Sequence, residues 1–222
     1  RLGIDTIDIV YTHNTIGAER NVSSGTLSVE DLSSIVQVFE SAVASGKLQY
    51  WGFNGLGQTD SVKEALRRYS PSGIHTCYNM LNPTSGYGLP KTFPYQNYEE
   101  LMTLASEDGI GTVGIRILAG GALSGSLDRH PIAQQNVAPI ATSSTFREDV
   151  SRTPVFEVLV KEGFVNNLVE ASVRFAISND NLDTALIGLS NFDQLKQAVD
   201  YANKGSLPQE ALDKIKEIWA VS

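Results

Sequence analysis

Cysteine is almost absent from this chain. Cys77 is the single one in 222 residues, which excludes an internal disulfide and fits a reducing, cytoplasmic location. Basic residues are in deficit: 17 Lys and Arg stand against 25 Asp and Glu, for a formal net charge of −8. A nucleic-acid surface needs a basic patch, so no nucleic-acid partner is expected. Histidine is scarce too. The 3 histidines show no HxH or HExxH spacing and make a poor metal set, so no metal site is expected. No apolar run approaches the roughly 18 residues of a membrane span, and no signal peptide is visible.

The stretch with most information is Gly109 to Gly125, GIGTVGIRILAGGALSG. Thr112 to Leu118 is apolar apart from Gly114 and Arg116, and is predicted to be a buried strand of a parallel sheet. A buried strand has no use for a guanidinium, because an unpaired buried charge is costly. A loop facing an anionic ligand does, and Gly120, Gly121 and Gly125 let the backbone approach such a ligand. Arg116 is therefore a candidate partner for a phosphate or substrate, with an intramolecular salt bridge as the alternative.

The other segments repeat the order strand, polar residue, loop, helix. Ile4 to Tyr11 is predicted to be a strand ending at Thr12, His13 and Asn14. Ser28 with Asp31 has the form of a capping box before a helix bearing Leu32, Ile35, Val36, Phe39, Ala42 and Val43, stopped by Gly46. Leu48 to Phe53 is a strand ending at Asn54 and Gly55, and Thr59 or Asp60 is expected to cap the next helix. Ile74 to Tyr78 is a strand ending at Asn79. The loop from Met80 to Gln96 is long enough to be functional or disordered, and a short helix with Tyr98, Leu101, Met102 and Ala105 follows. Another long segment runs to Arg152, then helices near Val155 to Lys161 and Asn167 to Ile177. Thr184 to Ile187 is the fifth strand. Gly188-Leu189-Ser190-Asn191 turns into a helix with Leu195, Ala198, Val199 and Ala202, and a last helix starts near Pro208. Helices are expected between all five strands, which means a parallel α/β sheet.

Polar residues collect where the strands end: His13, Asn54, Asn79, Arg116 and Ser190. In a barrel that end carries the active site. Five units do not close an eight-stranded barrel, so either the sheet is open or about three units precede Arg1; RLGID reads as a helix end entering a strand, which favours the second. Residues 1–222 are read as the C-terminal portion of one barrel domain.

In this order the segments resemble the aldo-keto reductase family over essentially the whole chain. LGIDTIDIVYTHN resembles its fourth strand, GKLQYWGFNG its fifth, CYNMLNP its sixth, GIGTVGIRILAGGALSG its seventh and TALIGLSNFDQLKQAV its eighth. The group around L-galactose and D-threo-aldose dehydrogenases is the nearest in pattern. The resemblance implies a (β/α)8 TIM barrel of which the chain supplies about the last five βα units. It implies hydride transfer between NAD or NADP and an aldehyde, ketone or sugar. It puts His13 at the position of the catalytic histidine and implies that the family's Asp, Tyr and Lys lie upstream of Arg1. Cofactor contact is implied for Asn54, Asn79, Arg116, Gly188, Ser190, Asn191 and Gln194.

Several positions depart from the family pattern. The Ser-Asn pair for the nicotinamide carboxamide becomes Asn54-Gly55, the next strand's Gln becomes His75, and the stacking Tyr becomes Ile115. The basic residue near the ribose phosphate becomes Ser190, which favours NAD slightly, and the later Glu-Asn pair becomes Gln197-Ala198.

The residues also admit plainer roles. His13 can cap a strand, Asn54 and Asn79 can bond their own turns, Ser190 or Asn191 can be an N-cap, and Gln194 can lie on a solvated helix face. His75 reads more readily as structural. Two other functions compete with the oxidoreductase. One is a non-catalytic scaffold of aldo-keto reductase type, which loss of the upstream Tyr–Lys pair would favour. The other is a metal-dependent barrel hydrolase using His13 and His75, which metal analysis would exclude. Without neighbours, the first strand's Ile7, Ile9 and Tyr11 offer an exposed edge for association.

Overall fold

The computed structural model describes residues 3–90 and 92–220. Arg1, where the reading of a mid-fold start rests, lies outside them. The chain forms two compact units, residues 1–76 with 101–113, and residues 77–100 with 114–222.

In the first unit the elements are β1 (Ile7–Tyr11), β2 (Thr15–Gly17), β3 (Thr26–Ser28), α1 (Leu32–Ala44), β4 (Leu48–Asn54), α2 (Thr59–Tyr69), β5 (Gly73–Cys77), α3 (Leu101–Glu107) and the start of β6 (Gly111–Ile115). The sheet runs β1-β4-β5-β6 here. β4 is parallel to both neighbours, with Tyr11 opposite Gly52, Gly52 opposite Gly73, and Asn54 opposite His75. Gly52 is dictated by this register, because a Cβ there would strike the Tyr11 ring and the Gly73 carbonyl.

The reciprocal bonds expected of Ser28 and Asp31 form, with the Ser28 N–H donating to Asp31 Oδ2 at 3.0 Å and the Asp31 N–H to Ser28 Oγ at 3.2 Å, but they lie one turn ahead of α1, whose N-cap is Asp31 without a side-chain cap bond. Gly46 (φ 72°) closes α1 with Gly46 N–H to Val43 O and Lys47 N–H to Ala42 O, the paired bonds of a Schellman end. Leu32, Trp51, Phe53, Val62, Leu66, Ile74, Leu101 and Met102 form the core. Burial stabilises each such side chain by about 1.5–3 kcal/mol. Trp51 donates Nε1–H to Glu40 at 2.7 Å, so its one polar atom is satisfied.

The second unit holds the end of β6, a 3₁₀ segment (Ala119–Ser124), α4 (Phe146–Ser151), a second 3₁₀ segment (Thr153–Glu157), α5 (Val158–Lys161), α6 (Leu168–Ala176), β7 (Thr184–Ala185), α7 (Phe192–Ala202) and α8 (Gln209–Ala220). β7 lies beside β6, with Leu186 N–H bonded to Gly114 O at 2.8 Å. Tyr78, Tyr87, Phe175 and Trp219 pack ring against ring. Arg152 ties two long loops together. It donates to the Thr142 and Leu81 carbonyls and lies 4.2 Å from the Tyr95 ring centroid. Asp149, buried, accepts from Thr142 Oγ1 at 2.6 Å.

Several expected boundaries are corrected. The strand predicted for Thr112 to Leu118 is Gly111–Ile115, because Arg116 turns at φ 60° and its carbonyl takes the Ala119 N–H at 2.7 Å. The first strand begins at Ile7 rather than Ile4, and the fifth predicted strand ends at Ala185 rather than Ile187. Tyr98 is outside α3, since Glu99 and Glu100 both have positive φ. The N-cap of α2 is Gln58, not Thr59 or Asp60. The β1–β4 connection is not helix alone. It also holds the parallel pair β2–β3. α4 lies in the segment read as loop, capped by Thr145, whose Oγ1 accepts the Glu148 N–H at 3.1 Å.

Candidate active site

In the first unit the site is a row across three strands. Asn54 Nδ2 donates to the His13 carbonyl at 2.9 Å, and the Asn54 N–H donates to Thr12 Oγ1 at 3.2 Å. Asn54 Oδ1 accepts the Leu56 N–H at 3.3 Å. Asn54 is buried and its amide is used within the chain, so it fixes the strand end that carries His13. His13 is exposed. His75 is half-buried and stacks on Tyr11, ring centroids 4.0 Å apart at 24°. Burial, and then the nearby His13, depress the proton affinity of His75 below the ordinary histidine value, because both disfavour its cation. Burial raises the Tyr11 phenol.

In the second unit a cleft of about 650 Å³ is lined by Arg116, Gly120, Gly121, Arg129, Gly188, Ser190, Gln194 and Gln197, among others. Of the residues singled out from sequence, Arg116, Gly188, Ser190 and Gln194 meet there. Asn191 does not line the cleft. It is the N-cap of α7, accepting the Gln194 N–H at 2.9 Å. Asn79 is buried and also works inside the chain: Nδ2 donates to the Arg116 carbonyl at 3.0 Å, and Oδ1 accepts the Leu81 and Asn82 N–H groups. It thus holds the backbone at which Arg116 leaves the strand.

Arg116 is half-buried, and among the described residues its guanidinium has no hydrogen-bond or ion-pair partner. A Cβ on Gly120 would come within 2.8 Å of Arg116 Nη1, and one on Gly121 within 3.1 Å of Arg129 Nη1. Two guanidinium groups therefore pack against the backbone of Gly120 and Gly121, and the Val137 side chain also covers Gly120. Arg129 is held by the Gly120 and Gln134 carbonyls and by the Phe146 ring, 4.9 Å away. Sequence reasoning missed Arg129, Asp128 and His130, which also line the cleft. Their only signal was a basic pair before Pro131 in a loop without periodicity. Two cationic side chains on one cleft wall suit a multiply charged anion.

Cys77 lies nearby and is buried. Burial chiefly, with Asp149 adding and Arg116 opposing, pushes its thiol up to about 12. Among the described residues no three His, Cys, Asp or Glu side chains cluster as metal ligands, and no helix is long and apolar enough to cross a membrane.

Comparison with known proteins places this geometry in a family. The sequence model of the Aldo/keto reductase family matches residues 1–220, and the chain belongs to that family. Among solved structures, the fold is similar to aldo-keto reductase AKR11C1 from Bacillus halodurans in its holo and apo forms. Each is 20% identical, with a TM-score of 0.62 over 96% of this chain. The chain spans 61% and 62% of the length of those two proteins. No curated protein matches the sequence.

Proposed function

We propose that this chain forms the dinucleotide-binding part of an NAD(P)-dependent oxidoreductase that interconverts a carbonyl compound and an alcohol. The observation that carries the reading is Arg116, a half-buried guanidinium with no partner among the described residues, on the wall of a roomy cleft. A dinucleotide diphosphate is an anion that suits Arg116 and Arg129. Gly188, Ser190, Gln194 and Gln197 would hold the adenosine end. Ser190 brings no charge for an extra ribose phosphate, so NAD is slightly favoured over NADP. When bound, the nicotinamide ring supplies or accepts a hydride.

His13 donates an imidazole N–H to the substrate carbonyl oxygen and orients it, and Asn54 steadies His13 from behind. On this reading the proton donor is the family's Asp-Tyr-Lys set and not one of the residues assigned here. General acid–base catalysis is typically worth ~10²–10⁴-fold. The substrate is a small aldehyde, ketone or sugar.

Titration calorimetry of the 222-residue protein with NADH and NADPH tests the reading. Binding is expected, weakened about ten- to a hundredfold in Arg116→Ala by loss of a charge-assisted hydrogen bond. A folded protein that binds neither dinucleotide overturns it.

A further inference from the structure

The first unit leaves one side of its sheet open. β1 pairs with β4 and, among the described residues, with no other strand. Such an edge is a template for another strand, and natural edges are commonly blunted by Lys, Pro or a bulge. β1 (IDIVY) carries neither residue, and its register against β4 runs without a bulge. Apolar surface lies beside it. Ile9 and Tyr50 are opposite each other in register and are 39% and 56% exposed, and Ile4, just ahead of the strand, is 56% exposed.

The strand also matches a copy of itself. The Ile7 N–H is bonded to the Lys47 carbonyl. By the alternation of an extended chain, Ile7, Ile9 and Tyr11 turn their backbone groups to β4, and Asp8 and Val10 turn theirs to the open side. An antiparallel copy centred on Ile9 sets Asp8 against Val10 of the second copy, twice. Each such pair exchanges two N–H···O bonds, and Ile9 meets Ile9 in the close, non-hydrogen-bonded position between them. All five residues of β1 are then paired, whereas centring on Asp8 would oppose two carboxylates.

The charges at the strand's ends agree with this register. Asp5 and His13, both exposed, lie four residues on either side of Ile9, so the acidic end of each copy comes to the histidine of the other. A contact of this kind uses the same surface twice and closes on itself.

We infer that the open edge of β1 is a dimerisation surface, on which a second copy of this chain adds its own β1 antiparallel about Ile9. The inference is independent of the cofactor reading.

Analytical ultracentrifugation of the 222-residue protein, joined to two cysteine variants, tests it. A species of twice the 24.0 kDa chain mass should grow in as concentration rises. Cys77 is buried and stays out of the reaction. Ile9→Cys should form a disulfide-linked dimer on mild oxidation, because the facing Cα atoms would lie about 4.5 Å apart. Ile7→Cys, which would face Tyr11 of the second copy, should not. Asp8→Pro removes one outward N–H from each copy and none from the β4 ladder, so it should weaken the dimer about thirtyfold, the worth of two hydrogen bonds. Phe192→Lys, at an exposed apolar residue of α7 in the other unit, should leave the dimer unchanged. A protein that stays monomeric at every concentration, or that grows into open assemblies, overturns the inference. So does a dimer that Phe192→Lys dissociates, or equal or absent cross-linking of the two cysteine variants. The wild-type mass and the cysteine at exposed Ile9 decide the matter even if Asp8→Pro fails to fold.

Discussion

The Ser190 N–H donates to Gln194 Oε1 at 2.7 Å, so the residue before the α7 cap is held by a side chain from the helix's own first turn. Asn191 Oδ1 in turn takes the Gln194 N–H at 2.9 Å. These reciprocal bonds fix the loop that borders the cleft and leave the Ser190 hydroxyl as its variable group. Ser190→Arg should therefore tighten NADPH by roughly ten- to a hundredfold and leave NADH nearly unchanged. Fluorescence titration with each cofactor is the measurement. A wild-type protein that already binds NADPH a hundredfold more tightly than NADH would contradict the assignment.

Arg116 combines a free charge with a left-handed backbone, φ 60°. That conformation costs a residue with a Cβ roughly 1–2 kcal/mol, which glycine escapes. Arg116→Gly should raise the melting temperature while weakening dinucleotide binding. Arg116→Ala should weaken binding without that gain. A calorimetric melt beside a binding titration separates the two effects, and parallel losses in both would mean that the guanidinium supports the fold.

Glu170 is buried among Arg174, Lys204 and Asn166. Desolvation would raise its carboxyl, but the Lys204, Asn166 and Arg174 bonds outweigh it and hold the group below the usual 4.5. The folded value is thus depressed, so this stabilisation is complete above about pH 4.5 and is lost as pH falls through the folded value. At pH 7 Glu170→Gln should be about 3 kcal/mol less stable, because Lys204 and Arg174 keep their charges. The gap should narrow below pH 4.5. Urea unfolding of both proteins across this range gives the answer, and a gap constant into strong acid would refute it.

With its thiol pushed up to about 12, Cys77 should be inert to an aromatic disulfide at neutral pH, since only the thiolate attacks. One thiol per chain should react in concentrated urea. Prompt reaction of the native protein would show that the site opens.

Long periodic segments were legible in the sequence because their burial follows one rule along many residues. α1, α6, α7 and α8 fall within a residue or two of expectation, and the Ser28–Asp31 box and the Gly46 stop were readable as chemistry. Shorter elements were not. β2 and β3 have three residues each, too few for alternation to register, and depend on contacts such as Thr15 to Thr26 at 2.9 Å. The strand end at Arg116 was misplaced because its positive φ occurs on a residue that gives no such signal. Arg116 and Ser190, which line the cleft, were readable as candidates from their places at a strand end and before a helix, and Gln194 only through the family resemblance. Arg129 was hidden, since what brings it to the cleft is a bond to Gly120 from a loop with no pattern of its own.

Trp219 donates Nε1–H to the Met80 carbonyl at 2.8 Å, joining the C-terminal helix to the start of the long loop. The chain has 2 tryptophans, and the other, Trp51, is buried in the first unit against Glu40. Each unit therefore carries its own intrinsic fluorophore. Trp51→Phe leaves emission from the second unit alone, and Trp219→Phe from the first. Coincident urea transitions in the two single-tryptophan proteins would make the chain one cooperative system, and separate midpoints would assign each unit a stability of its own.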